Sequence, residues 1–449
     1  METVITGQTR LVRHGSAGAG TKPRAWAAPA LLLLLTGASC HDDDPCAKAS
    51  EVCDIAHARA MVVADAVPVW PTAEVGKPVI LYVDRSESMR GFLDPEYRTR
   101  VPTDYRSVLD GFAARLRPAQ VFGFGNEVRA EGGGLRVLGD PGFYSDGNTE
   151  MEEVLDRVEL DSALDGTHAI IGDGRRTDPN AANGQFERMR RVAERWTAAG
   201  GTFIVAASHA PFSPVKDDPS GCRAAESAAD STRVTCPLYA FAFVAPGDQG
   251  RIASALAGVF QNLYVTPLPA LSERAVGWRA QKSAQITIRQ GWTAAPDSTP
   301  IARVRGSAAT NDPLRASLAL RDTITPLGRA TLLAIRGRRL VPTLAVRTLH
   351  AQPAASPWQP SPAKGALMWS AGDPFAYDFV SRGPDPKVPR YLYRLELHPA
   401  GEPSWLDAFD AERASDALRT FGLGLLFQAF KAQDPVAAPP VVRSFVVVS

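Results

Sequence analysis

The stretch Val79–Phe92, VILYVDRSESMRGF, decides how the rest of the chain is read. It opens with an unbroken apolar run, the pattern of a strand buried on both faces. The run stops at Asp84-Arg85-Ser86-Glu87-Ser88, which sets a carboxylate and two hydroxyls at alternate positions. Oxygens so spaced can turn toward one point just beyond the carboxyl end of a strand, where open α/β sheets place their ligands. Oxygen-only ligation suits a hard cation such as Mg2+, which prefers octahedral geometry and keeps part of its water. Taken alone, the same residues also read as a polar turn, because Asp and Ser are ordinary turn residues.

Context changes the weight of that motif. Thr149 follows in DGNTEMEEVL and Asp173 in HAIIGDGRR. Together the three parts resemble the von Willebrand factor A domains and their metal-ion-dependent adhesion site: DxSxS, a threonine in a later loop, and an aspartate after a later strand. The resemblance covers about residues 76–264. It implies Ser86, Ser88 and Thr149 as inner ligands of Mg2+ or Mn2+, with Asp84 and Asp173 acting through bound water. It also implies that a partner's acidic side chain completes the coordination.

From Val79 onward, strand-like and helix-like periodicities alternate, which predicts a doubly wound, Rossmann-like α/β domain with a mostly parallel central sheet. Thr103 is placed to cap a helix striped by Tyr105, Val108, Leu109, Phe112 and Leu116, which Pro118 stops. Strands are expected at Val121–Val128, Ala169–Ile171, Thr202–Ala207 and Leu238–Val244, with a short antiparallel edge at Leu135–Leu138. Thr149 is expected to open a helix carrying Met151, Val154, Leu155 and Val158 on one face. Phe186, Met189, Val192, Ala193 and Trp196 stripe the next helix, ended by Gly200-Gly201, and Ile252, Leu256, Val259, Phe260 and Leu263 the last. Between His209 and Pro237 an excursion stands where a helix is due.

Around the motif, Arg85, Arg90, Arg175 and Arg176 form a basic rim. Guanidinium groups recognise carboxylates through paired hydrogen bonds, which points to an acidic partner: protein, peptide or envelope polymer. The alternative is that they are solvated or paired with Glu87 and Asp178.

Residues 265–449 change character. Ala284–Arg289, Leu314–Arg321 and Tyr391–Leu397 alternate strictly, and Ala330–Ile335 and Leu340–Val346 are further strand candidates. Pro- and Gly-rich turns between such runs predict a β-rich C-terminal domain, a β-sandwich of immunoglobulin-like kind. One helical segment is expected at Trp405–Ala432, and Arg443–Val448 is expected to complete the sheet.

At the other end, Arg10, Arg13, Lys22 and Arg24 precede Ala25–Leu35, AWAAPALLLLL, and then Thr36-Gly37-Ala38-Ser39-Cys40. A basic region, a short apolar core and small residues make residues 1–40 an export signal rather than a spanning helix, which needs about 20 apolar residues. The small residues running into Cys40 resemble a bacterial lipobox, which implies lipidation of Cys40 and a membrane-anchored lipoprotein of the cell envelope. Residues 41–75 read as a tether. Cysteine arithmetic agrees: Cys46 with Cys53 and Cys222 with Cys236 make two local pairs that an exported chain would oxidise, leaving Cys40 over.

Composition adds exclusions. The chain has 449 residues, 45% hydrophobic and 22% charged, with net charge +1, so nothing in it favours nucleic acid. It carries no GxSxG elbow, no GxxxxGKS loop and no HExxH. His168, beside a buried strand, reads as packing. The function expected is therefore a non-catalytic, envelope-anchored protein that binds a partner through a divalent cation. A periplasmic assembly or maturation adaptor is the alternative, and a metal-dependent hydrolase a more distant one.

Overall fold

The apolar run Val79–Asp84 forms strand β1 and is buried along nearly its whole length, as its composition requires. In the computed structural model the described residues are Trp70, 76–93, 105–175, 179–213, 234–268, 326–348, 390–411 and 419–431, with strands at 276–279, 288–289, 302–305, 314–320, 359–360, 366–369, 377–381 and 441–448. Around β1 lie β2 (Gln120–Phe124), β3 (Arg129–Ala130), β4 (Thr167–Gly172), β5 (Thr202–Phe212), β6 (Val234–Val244) and β7 (Asn262–Thr266), ordered β3-β2-β1-β4-β6-β5-β7.

The sheet is mixed rather than mostly parallel. β1 pairs parallel with β2 and β4, but β4·β6, β5·β6, β5·β7 and β2·β3 are antiparallel. Parallel neighbours require a crossover, usually helical, between them. Residues 214–233 of the expected excursion lie outside the described residues, and after them β6 returns directly beside β5, from Thr202↔Val244 to Phe212↔Val234. The parallel part holds the motif; the antiparallel part completes the platform.

Helices cover both faces. On one lie α1 (Tyr105–Arg115) and α4 (Gln249–Ala257); on the other lie α2 (Glu152–Leu160) and α3 (Pro179–Ala198). Alternation along the strands sorts the core into two layers: Leu81, Val83, Ile171, Ile204 and Val265 join the first, and Tyr82, Phe124, Ile170, Phe203 and Tyr264 the second. Gly200 ends α3 in the left-handed region, φ +96°, which glycine enters without steric cost. Trp70, within the stretch expected to be a tether, is buried in the first layer.

The C-terminal part adds two sheets: a six-stranded one from β9 (Ile288–Arg289), β10 (Ala302–Arg305), β12 (Arg338–Thr348), β13 (Gln359–Pro360), β16 (Arg390–Pro403) and β19 (Val441–Val448), and a four-stranded one from β8 (Val276–Arg279), β11 (Leu314–Leu320), β14 (Ala366–Trp369) and β15 (Tyr377–Ser381). It also supplies α5 (Pro326–Arg336), α6 (Leu423–Lys431) and the short paired strands β17 (Asp410–Ala411) and β18 (Thr420–Phe421). Ala330, Leu333, Ala334 and Ile335 of α5 belong to the first layer, and Trp405, Phe409, Leu423, Phe427 and Phe430 to the second. The α/β core is thus shared between both halves of the chain.

Several local expectations are corrected. Ala330–Ile335 is helical, because Pro326 starts the turn and a short apolar run does not by itself distinguish strand from helix. The helix expected over Trp405–Ala432 begins only at Leu423, after Gly422 at φ +80°. Leu135–Leu138 lies in a 3-10 turn, Gly134–Gly139, and the antiparallel edge is β3 instead. Thr149 precedes α2 by three residues rather than opening it. Thr103 and residues 1–69, including Cys40, Cys46 and Cys53, lie outside the described residues, as does Cys222. Cys236 is buried and disulfide-bonded. Among the described residues no helix is long and apolar enough to cross a membrane.

Candidate metal centre

Because β1, β2 and β4 run parallel, their carboxyl ends open on one rim. Asp84 is the last residue of β1, opposite Phe124, and Asp173 follows Gly172, the last residue of β4. A Cβ at position 172 would stand 3.1 Å from Asp84 Oδ2, so glycine leaves the room that the Asp84 carboxylate occupies.

The DRSES turn is held by its own backbone. The Ser86 N–H donates to Asp84 Oδ1 at 2.8 Å, and the Ser86 and Ser88 hydroxyls are hydrogen-bonded to each other at 3.0 Å. Ser88 lies in a 3-10 turn, Glu87–Phe92, that begins with Met89 N–H donating to the Ser86 carbonyl at 3.0 Å. Across the rim, Asp146 N–H donates to the Arg85 carbonyl at 3.1 Å and the Glu87 N–H to the Asp146 carbonyl at 3.0 Å. This pairing lays the Asp146–Glu150 loop beside the turn. The Glu150 N–H donates to the Gly125 carbonyl at 2.9 Å and fixes the loop's far end. Between these anchors the Thr149 hydroxyl is presented to Asp84, 3.5 Å from Oδ1 and 3.4 Å from Oδ2.

All five expected residues, Asp84, Ser86, Ser88, Thr149 and Asp173, are buried. Burial above all, and then the neighbouring Asp173 carboxylate, raise the Asp84 pKa well above the usual carboxylate range; hydrogen bonds from Ser86 and Thr149 reverse this only in part. Two carboxylates that disfavour each other's ionisation in a buried place are relieved by a proton or by a cation. The donors are all hard oxygens, so the chemistry fits Mg2+ or Mn2+ and does not fit a thiolate-seeking metal. Among the described residues no group of three or more His, Cys, Asp or Glu side chains is placed to hold a metal. The centre therefore rests on hydroxyls as much as on carboxylates.

The expected rim divides. Arg85 turns away from the turn's hydroxyls: its Nε donates to the Phe143 carbonyl at 3.3 Å, its guanidinium lies 3.7 Å from Glu131 and 3.9 Å from Asp146, and it covers the Phe143 ring at 5.1 Å. Its side chain is only 12% exposed, so it braces the Asp146 loop from behind. Arg90 is exposed at the end of the 3-10 turn. The Arg175 N–H donates to Asp173 Oδ1 at 3.0 Å, and Arg176 lies outside the described residues. His168 sits near the opposite end of β4, its ring nitrogens 3.3 Å from the Tyr82 hydroxyl and 3.1 Å from Asp161, with Trp196 edge-on.

Asp146 and the glycines at 125 and 172 escaped the sequence reading. A Cβ at Gly125 would meet Asp146 Oδ2 at 2.3 Å, so this position too leaves space for a carboxylate. The one available signal was local: Asp146-Gly147-Asn148 is a turn composition immediately before Thr149. Compared with protein-family models, curated proteins and solved structures, the chain finds no match.

Proposed function

We propose that this protein is a von Willebrand factor A-type binding protein that engages its partner through a divalent cation. The observation that carries the proposal is the convergence of Asp84, Ser86, Ser88, Thr149 and Asp173 on one buried rim. Ser86, Ser88 and Thr149 would hold Mg2+ or Mn2+, with Asp84 and Asp173 holding its water. When bound, the cation supplies the largest local positive charge, to which an acidic group of the partner is drawn. The residues' own work is to exclude solvent, to fix the turn by backbone hydrogen bonds, and to keep both carboxylates close enough that a proton or a cation relieves them. Arg90, exposed beside the turn, adds a guanidinium that a carboxylate can bridge. No residue is assigned a catalytic role.

The same proposal places the protein in the bacterial cell envelope, exported by residues 1–40 and anchored by a lipid on Cys40, with the two C-terminal sheets packed as a β-sandwich. The test is capture from an envelope extract on the immobilised protein, with Mg2+ or with chelator, and with Ser86→Ala in parallel. A partner retained with Mg2+ and lost in both other conditions supports the reading. A partner retained in all three makes the centre irrelevant to binding.

A further inference from the structure

Resting on the cation reading, we infer that Thr420 and Tyr239 are positioning residues of the metal centre, so that the C-terminal strap formed by the paired strands β17 and β18 is a working part of it. Thr420 is 247 residues from Asp173 in sequence, yet its hydroxyl lies 3.5 Å from the Asp173 carbonyl oxygen. The Tyr239 hydroxyl donates to Thr420 Oγ1 at 2.8 Å. A tyrosine that donates leaves the threonine's own proton to point elsewhere, and the Asp173 carbonyl is the acceptor in reach. All three residues are buried, so water does not substitute for either bond.

The geometry around this chain is close. Gly174 follows Asp173 at φ +67°, and a Cβ there would meet the Tyr239 ring at 3.2 Å and the Thr420 methyl at 3.5 Å. The Asp173-Gly174 turn is therefore gripped between the two side chains. On its other side the Arg175 N–H holds Asp173 Oδ1 at 3.0 Å. The carbonyl and the carboxylate of Asp173 are thus both oriented, one by the strap and one by the chain's next turn. Partners of this kind, one step removed from a metal, commonly change its affinity about 10–100-fold when lost.

The strap is held independently of the Thr420 hydroxyl. The Thr420 N–H donates to the Phe409 carbonyl at 2.8 Å, Phe409 meets the Tyr239 ring edge-on at 6.0 Å and stacks on His209 at 4.3 Å, and Asp410 accepts from the Gly424 and Leu423 N–H groups at the start of α6. Removing the hydroxyl alone leaves these contacts in place. Because coupling is reciprocal, a cation that needs Asp173 correctly placed must in turn tighten the strap.

The experiment is calorimetric titration of the whole protein with MgCl2 and with MnCl2, with hydrogen exchange read over residues 409–411 and 419–423 in Mg2+ and in chelator. Thr420→Val is expected to weaken Mg2+ binding about tenfold and Thr420→Ser to restore it to within about twofold. Mg2+ is expected to slow exchange across the strap in the wild type and not in Thr420→Val. Should Thr420→Val fold poorly, Tyr239→Phe keeps the ring and removes the hydroxyl that donates to Thr420 and directs the threonine's proton toward Asp173, and a loss in the same direction is expected. Wild type that binds Mg2+ with either hydroxyl deletion binding equally overturns the inference and leaves the cation reading standing. Wild type that binds neither Mg2+ nor Mn2+ overturns the cation reading, and the inference with it.

Discussion

Replacing Asp84 by Asn separates the two demands made on this side chain. In the wild type, burial and the Asp173 carboxylate hold the Asp84 pKa well above its unfolded value of about 4. A raised acid pKa means that the folded state keeps a proton the unfolded chain releases. Without a cation, stability is therefore fully present below pH ~4 and is lost as pH rises through the elevated folded value. Asn cannot ionise, yet its side-chain oxygen can still accept from the Ser86 N–H that Asp84 Oδ1 now accepts at 2.8 Å. In chelator at pH 8, Asp84→Asn is expected to be more stable than wild type by about 1–3 kcal/mol, since each tenfold change in proton affinity is worth about 1.4 kcal/mol. Adding Mg2+ closes or reverses the gap: at about 100 times its Kd it stabilises wild type by about 2.7 kcal/mol. At about 2 °C per kcal/mol for a large domain, that is a rise of about 5 °C in Tm, while Asp84→Asn stays flat. Differential scanning calorimetry at pH 5 and pH 8, each with Mg2+ and with chelator, reads all four conditions. If Asp84→Asn is destabilised in chelator at pH 8, or gains as much as wild type from Mg2+, the reasoning about this buried pair is wrong.

Two further outcomes test the shared core. Phe427 meets Tyr264 edge-on at 4.8 Å and Trp405 at 5.9 Å, so Phe427→Ala is expected to cost about 3–5 kcal/mol in denaturant unfolding; a loss below about 1 kcal/mol would mean that α6 is peripheral to the α/β core. Gly337 lies where a Cβ would come 1.6 Å from the Leu263 carbonyl oxygen, which is backbone and cannot step aside. Gly337→Ala is expected to part the α5–β12 corner from β7 and to lower the unfolding midpoint; a midpoint equal to wild type would show that the corner is not packed as described.

Much of the candidate site was legible because its parts are local. The turn that joins Asp84, Ser86 and Ser88 spans five consecutive residues, and a buried apolar run before it demands a strand. Thr149 and Asp173 were legible through their order along the chain, yet the means by which they arrive was not. Thr149 reaches the site through Asp146 and Gly125, backbone partners whose pairing depends on strands β1 and β2 lying side by side. Arg85 shows the opposite failure. Its neighbours in sequence are site residues, but side chains on extended backbone alternate in direction, and its guanidinium reaches Glu131 and Asp146 instead.

What the sequence determined by itself is what periodicity and near-neighbour spacing carry: β1, the stripes of the first three covering helices, the acid-and-hydroxyl turn, and the change to alternating strands after Tyr264; the last expected stripe ran too far, because α4 ends at Ala257 and Leu263 already lies on β7. The tertiary structure alone decided the direction of β6, the helix at α5, and the contribution of Trp405, Leu423 and Phe427 to a core begun more than a hundred residues earlier. The reason is physical. Local backbone preference and amphipathic pattern act within a few residues, whereas strand direction and shared burial are settled by which distant surface excludes water best.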